Sequence, residues 1–104
     1  MKAIITGIRY DTDKATCIGH YQYSYPGDFN HWKAGLYVSP RANRYFLAGS
    51  GGPMTRYSRA IGQNEWSGGE KITPLTKEQA FEWAQKYLGP DDIERHFSDM
   101  IEEA

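Results

Sequence analysis

Hydrophobic and polar residues alternate over two segments in the first quarter of the chain. Residues 3–10 alternate and are rich in β-branched side chains, and residues 16–25 alternate again after a polar turn at residues 11–14. A period of two is typical of β-strands that bury one face. The pattern therefore predicts two strands that pair as a β-hairpin.

A second hairpin is predicted in the middle of the chain. The runs at residues 36–39 and 44–48 flank the turn-forming segment PRAN at residues 40–43. Proline and asparagine are favoured in turns, and short apolar runs on either side favour paired strands. A last short strand is predicted at residues 71–74.

Helical spacing begins near Pro53. Pro53 suits a first helical turn, the following apolar residues recur at helical intervals, and Gly62 is placed to end the segment. These signals predict a short helix over residues 53–61. The apolar residues with helical spacing are Met54, Tyr57, Ala60 and Ile61.

Two further helices are predicted at the end of the chain. Thr76 is an N-cap candidate with Gln79 as its capping-box partner, and Gly89-Pro90 ends this first helix. The second helix is predicted to begin near Asp91 or Asp92. Each helix has one apolar face. The residues expected to be buried are Ala80, Trp83, Ala84, Tyr87 and Leu88 in the first helix and Ile93, Phe97, Met100 and Ile101 in the second.

The order of these elements, with strands first and helices last, predicts the α+β class. We expect one domain over residues 1–104, with a small antiparallel sheet of about four or five strands, the short central helix, and the two C-terminal helices packed on one face. Hydrophobic residues make up 39% of the chain and charged residues 24%, which favours a folded chain over a disordered one.

The cysteine count and the charge narrow the class of protein. Cys17 is the only cysteine, which excludes an intrachain disulfide, and the N-terminal apolar run is too short for a signal peptide or a membrane span. A cytoplasmic location is expected.

The charges are distributed unevenly along the chain. Residues 1–75 carry nine Lys/Arg against five Asp/Glu, whereas residues 91–104 carry one Arg against six acids. This asymmetry suits binding of nucleic acid or of a basic protein partner, and it also suits a solvated acidic helix.

Aromatic and arginine residues are the candidates for a binding surface. Three tyrosines recur on one predicted strand face, as in the platforms that stack single-stranded nucleic acid or anchor protein interfaces, although packing against the helices also accounts for them. Arg56 and Arg59 are three residues apart and would share a helical face, where they would grip phosphate or carboxylate groups. The full set of partner-binding candidates is Tyr21, Tyr23, Tyr25, Phe29, Trp32, Arg41, Arg44, Arg56, Arg59 and Trp66.

Few residues suggest catalysis. The three histidines do not have metal-ligand spacing, and Cys17 and His20 are three apart on a predicted strand, so they should face opposite sides. The run GSGGPM before the predicted helix is compatible with anion binding at a helix N-terminus or with a simple turn, and it lacks the lysine of a phosphate-binding loop. We therefore expect no metal, no cofactor and no enzymatic activity.

The segment GGPMTRYSRAIGQNEWSGGEKITPLTKEQAFEWAQKYL resembles a family of small proteins encoded on bacterial chromosomes, phages and mobile elements. The resemblance covers residues 2–90 and includes the GGPM turn, the WSGGE turn and the I-x-PL-T segment before a helix. This family has no established activity that the resemblance could assign to the present chain. Small mobile-element proteins without catalytic signatures are often inhibitors of host defence, including the anti-CRISPR class.

The leading hypothesis is therefore a non-enzymatic protein-binding module, in its most specific form an inhibitor of a bacterial defence nuclease complex. Two alternatives stay open. One is a small nucleic-acid-binding domain, and the other is an enzyme of unrecognised type that would join His20 or His31 to a carboxylate. The nucleic-acid alternative would use Tyr21, Tyr23, Arg41, Arg44, Arg56 and Arg59.

Overall fold

The part of the chain that the structure describes forms eight β-strands followed by two α-helices and a short 3₁₀ helix. The computed structural model describes the backbone of residues 1–52, 54–57, 59–62, 65–67 and 69–104, and the side chains of these residues apart from 59–62 and 65–67. The elements are β1 (Lys2–Ile5), β2 (Ile8–Asp11), β3 (Thr16–Tyr23), β4 (Trp32–Ser39), β5 (Arg44–Gly51), β6 (Arg59–Gly62), β7 (Glu65–Ser67), β8 (Gly69–Leu75), α1 (Lys77–Tyr87), α2 (Pro90–Phe97) and the 3₁₀ helix (Ser98–Met100).

A four-stranded antiparallel sheet forms the centre of the fold. Its strand order is β3-β4-β5-β8, while β1 pairs with β2 and β6 pairs with β7 in two separate hairpins. The predicted α+β class is thus correct. The predicted β4–β5 hairpin and the strand before α1 are confirmed, and all three strands are longer than their sequence runs indicated.

The first predicted strand is in fact a hairpin by itself. Thr6 and Gly7 both have positive φ, 52° and 77°, and they join β1 to β2 so that Ile5 lies opposite Ile8. Two positive φ values in succession are characteristic of the type I′ turn, one of the two common two-residue hairpin turns. The prediction that residues 3–10 form one strand paired with the next was therefore wrong, since β3 pairs with β4.

The predicted central helix is absent from the described residues. Residues 54–57 form a turn and Arg59–Gly62 is the strand β6, which pairs with β7. The Thr55 N–H and hydroxyl both donate to the Gly52 carbonyl, and the Tyr57 N–H donates to the Thr55 hydroxyl. A threonine hydroxyl that binds nearby backbone competes with a helix, and two turns are too short to resist this.

The start of α1 is as predicted. The Gln79 N–H donates to Oγ1 of Thr76 over 3.1 Å, and the Thr76 N–H donates to Oε1 of Gln79 over 2.8 Å. This reciprocal capping box satisfies two backbone donors that the helix leaves without an intrahelical partner. Within the described part of the chain, no helix is long and apolar enough to cross a membrane.

The two faces of the central sheet pack against different elements. Both helices lie on one face, as predicted, whereas the β1–β2 hairpin covers part of the other, where Tyr10 packs on Phe46 and Ile72. Ile101 is exposed, contrary to expectation, because the 3₁₀ helix has ended at Met100. The buried residues of the helix-side core are Ile18, Leu36, Tyr45, Leu47, Ala80, Ala84 and Phe97.

Candidate interaction surface

Four large apolar side chains are exposed at one end of the central sheet. Tyr23 is 50% exposed, Tyr25 66%, Phe29 65% and Met54 66%, and we call these four residues the aromatic tip. They lie at the same end because Tyr23, the last residue of β3, is opposite Trp32 at the start of β4, and Trp32 is in turn opposite the last residue of β5. The loops after β3 and β5 therefore leave the sheet side by side.

The aromatic tip continues into a row of packed rings on the helix side of the sheet. Trp32 stacks with Tyr23 at a centroid distance of 6.4 Å and lies 5.5 Å from Tyr21 and 5.3 Å from Tyr87. Tyr87 in turn lies 5.0 Å from Trp83. Tyr21 is thus half-buried between sheet and helix, whereas Tyr23 and Tyr25 project into solvent, so the predicted tyrosine row divides into packed and exposed members.

Hydrogen bonds from Asp28 fix the loop that follows β3. Its carboxylate accepts from the Ser24 hydroxyl at 2.5 Å and from the Asn30 N–H at 2.9 Å. The bond from Ser24, followed by that from Asn30, holds the pKa of the Asp28 carboxyl below its usual value. The carboxylate therefore stays ionised and keeps these bonds at neutral pH, and it loses them only as the pH falls through the lowered pKa.

The two loops of the aromatic tip are also joined to each other through their backbones. The Gly52 N–H donates to the His31 carbonyl over 2.8 Å, and the Met54 N–H donates to the Phe29 carbonyl over 3.1 Å. A Cβ at Gly52 would lie 2.6 Å from the Phe29 carbonyl oxygen, so only glycine allows this approach. Phe29 and Met54 are consequently held as neighbours.

The glycines of β5 accommodate a side chain of the protein itself. Tyr57 is buried, and its ring lies where a Cβ of Gly49 would be, with Gly51 also in contact with it. Burial raises the pKa of the Tyr57 hydroxyl. The GSGG run thus serves close packing, and no helix follows it in the described residues, so the helix N-terminus that the anion-binding interpretation requires is not formed there.

The structure separates the predicted arginines. Arg41 and Arg44 lie at the β4–β5 turn, which an eight-residue strand places about 23 Å from the aromatic tip. Arg56 is exposed in the turn that contains Met54, at the same end of the sheet as the aromatic tip. The side chains of Arg59 and Trp66 lie outside the described residues. Arg56 and Arg59 do not share a helical face, because residue 59 begins a strand.

Cys17 and His20 lie on the same face of the sheet, which corrects the expectation from strand alternation. A β-bulge between Cys17 and Gly19 shifts the alternation, and the Cys17 Sγ atom lies 3.1 Å from Nε2 of His20. Partial burial raises the pKa of the Cys17 thiol, an effect that exceeds the opposing hydrogen bonds from the Gly19 backbone and the Tyr37 side chain. The structure therefore favours a neutral thiol and not an activated thiolate.

Because the Cys17 thiol is neutral at neutral pH, we expect it to react slowly with alkylating reagents. Because the pKa is raised above its ordinary value of 9.0, the rate of alkylation by iodoacetamide should rise with pH through an inflection above 9.0. The measurement is the alkylated fraction against time at several pH values by intact-mass spectrometry. An inflection at or below neutral pH would instead indicate a thiolate–imidazolium pair and would reopen the possibility of nucleophilic catalysis.

A cleft with a mixed polar and apolar lining lies between the β1–β2 hairpin and the uncovered part of the sheet. Its volume is about 860 Å³, and its lining carries Lys2, Lys33, His20 and Glu70 around a floor that includes Gly35. The charges are of both signs. Among the described residues, no group of three or more His, Cys, Asp or Glu side chains converges as a metal site.

Part of the acidic C-terminal charge is engaged in intramolecular ion pairs. Asp99 accepts from Nζ of Lys77 at 2.5 Å, and Asp92 lies 3.7 Å from Arg95. The hydrogen bond between Lys77 and Asp99 raises the pKa of Lys77 and lowers that of Asp99. Glu102 and Glu103, which follow Asp99 in the chain, are exposed.

Three residues of this surface were not proposed from the sequence. Met54 was interpreted as an apolar helix position, and Trp83 and Tyr87 as core positions of α1. The sequence offered no signal that separates Trp83 and Tyr87 from core positions, because both have the spacing of the apolar face of α1. No protein-family model, curated protein or solved structure matches this chain.

Proposed function

We propose that this protein is a non-enzymatic protein-binding module whose aromatic tip docks on a protein partner. The observation that carries the proposal is the concentration of Tyr23, Tyr25, Phe29 and Met54 at one end of the sheet, all at least half exposed. Large apolar side chains that are exposed together are typical of interaction sites, and aromatic residues and methionine are enriched in interfaces.

The rigidity of the aromatic tip supports the same proposal. Asp28 closes the first loop, and the backbone bonds from Gly52 and Met54 tie the second loop to the first. Binding is weakened by the conformational entropy that an interface loses, and side chains presented on loops that are already ordered lose less of it. Exposed Arg56 adds a cation beside the apolar residues, a combination that is frequent at interface hot spots.

The more specific form of the proposal is inhibition of a bacterial defence nuclease complex. It rests on the resemblance to mobile-element proteins and not on the geometry of the surface. In this form the aromatic tip would cover a site that the complex uses for nucleic acid or for a partner subunit. Titrating the protein into purified defence nucleases and measuring cleavage of their target DNA tests this form separately.

The test of the general proposal compares two variants in a pull-down from bacterial lysate, with and without nuclease treatment. The tip variant is Tyr25→Ser/Phe29→Ser/Met54→Ser, and the control is Ile4→Ser, which removes an equally exposed apolar side chain from β1. We expect a stoichiometric protein partner that survives nuclease treatment, that the control retains and that the tip variant loses. Affinity of the purified partner for the tip variant should fall by about 30-fold or more.

Two outcomes would contradict the proposal. Equal retention by the tip variant and the control would place the partner elsewhere on the protein. Recovery of nucleic acid alone, lost on nuclease treatment, would favour the nucleic-acid alternative, which also predicts a steep dependence of binding on salt.

A further inference from the structure

The two edge strands of the central sheet differ in how they are protected. The strand order leaves β3 and β8 at the edges, and among the described strands each has one partner. β8 contains Glu70, Lys71 and Pro74, which are residue types that discourage pairing with another chain. β3 has the sequence TCIGHYQY, without Lys, Arg, Asp, Glu or Pro. Its backbone is therefore available to a further strand.

The part of β3 that can pair regularly is short and well bounded. The bulge between Cys17 and Gly19 interrupts the ladder on one side, and Ser24, with φ of 66°, ends the extended backbone on the other. The regular segment is therefore Gly19 to Tyr23, and its middle residue is Tyr21. Residues on both sides of Tyr21 alternate between the two faces of the sheet.

We propose that β3 pairs antiparallel with β3 of a second copy of this chain, about a twofold axis at Tyr21. This register pairs all five regular residues, and a shift of one residue in either direction brings in the bulge or Ser24. The central sheet would then extend to eight strands across the dimer. A symmetric contact of this kind is self-complementary by construction.

The side chains of the segment are complementary in this register. On the helix face, Tyr21 meets Tyr21 of the second copy, and Tyr23 lies opposite Gly19, where it meets the Leu88 side chain that covers this glycine. On the other face, His20 lies opposite Gln22, and both are exposed in the single chain. Aromatic pairs and hydrogen-bonding pairs across strands are stabilising, and no like charges are opposed.

The register can be tested with charges on the exposed face. In the variant His20→Lys/Gln22→Lys, lysines of the two copies would oppose each other in two cross-strand pairs, and in His20→Glu/Gln22→Glu glutamates would do so. Like charges directly opposite are destabilising, and opposite charges are stabilising. Each variant alone should therefore be a monomer, and an equimolar mixture of the two should form a heterodimer.

Sedimentation equilibrium of the full chain measures the mass as a function of concentration. We expect the mass of the unaltered protein to rise towards that of a dimer, the mass of each charged variant to stay that of a monomer, and the mixture to recover the dimer. Gln85→Lys and Gln85→Glu, on the exposed side of α1, are the matched controls and should dimerise normally. Circular dichroism verifies that every variant is folded.

Two results would overturn the proposal. One is a monomeric mass for the unaltered protein up to about 1 mM, a concentration at which an association free energy of only about −4 kcal/mol would place half of the chains in dimers. The other is a dimer that persists in both charged variants, since it would have to use a different surface. The dimer shares only Tyr23 with the aromatic tip, and neither result bears on Tyr25, Phe29 and Met54, the three tip residues that the pull-down tests.

Discussion

Replacing Phe97 by alanine is expected to destabilise the fold by about 3–5 kcal/mol, the range for removing a large buried aromatic side chain. Phe97 is 0% exposed, and its ring stacks with Tyr45 at 5.7 Å and lies 5.5 Å from Phe81. Phe97 thus packs α2 against both the sheet and α1. Since small domains are stable by only about 5–15 kcal/mol, this loss is a large part of the total.

The matched control is Phe29→Ala, which deletes the same atoms from an exposed loop position. Urea denaturation followed by circular dichroism gives the free energy of unfolding of both variants. We expect Phe29→Ala to stay within about 0.5 kcal/mol of the unaltered protein, as is usual for surface substitutions. Equal losses for the two variants would mean that α2 does not pack on the sheet as described.

The second large effect is expected where Tyr57 lies on Gly49. The methyl group of Gly49→Ala would overlap the Tyr57 ring, so either the ring or the strand must move, and overpacking of this kind costs roughly 1–3 kcal/mol. Tyr57→Ala empties the same space and should be destabilising by about 3–5 kcal/mol, the range for a large aromatic side chain. Both free energies are measured by urea denaturation.

A double-mutant cycle separates this contact from other effects of the two substitutions. If Gly49 is required because of the ring, Gly49→Ala should have little further effect in a Tyr57→Ala background, which gives a coupling of about 1–3 kcal/mol. Simple additivity of the two losses would contradict the contact. The Gly49→Ala variant should also bind the partner more weakly, because displacing Tyr57 would shift the turn at residues 54–57 that carries Met54.

The two helices and the β4–β5 hairpin were predictable because their signals are local. Thr76 and Gln79 specify the start of α1 within four residues, and Pro90 is at the first position of α2. The β4–β5 turn is similarly specified by residues 40–43. In each case the side chains that determine the structure are neighbours in sequence, so no tertiary information is needed.

The errors occur where non-local contacts or single backbone angles decide the structure. Tyr57 has helical spacing from Met54, yet its ring packs on Gly49, in a space that exists only once the sheet has folded. Thr6 adopts a positive φ that is unusual for a β-branched residue, so the β1–β2 turn had no clear signal. The bulge at Cys17 reverses strand alternation, and this brought Cys17 and His20 together against expectation.

The sequence predicted which residue types form the candidate surface, but not which of the predicted residues lie together. Tyr25 and Phe29 were proposed because aromatic residues in a loop suggest binding, and both lie in the aromatic tip. The distance between the tip and Arg41 depends on strand order and length, which the sequence pattern does not specify. A basic and aromatic patch made of the whole predicted set is therefore not assembled in the described structure.

The β1–β2 hairpin is attached to the rest of the protein differently from every strand of the central sheet. Among the described residues it shares no ladder hydrogen bonds with that sheet and is held by the packing of Tyr10 and its apolar neighbours on Phe46 and Ile72. Its release would therefore leave the four-stranded ladder and the helix-side core intact. Such a segment can open as a separate cooperative unit, so the first eleven residues form a natural site of sub-global unfolding and of proteolytic entry.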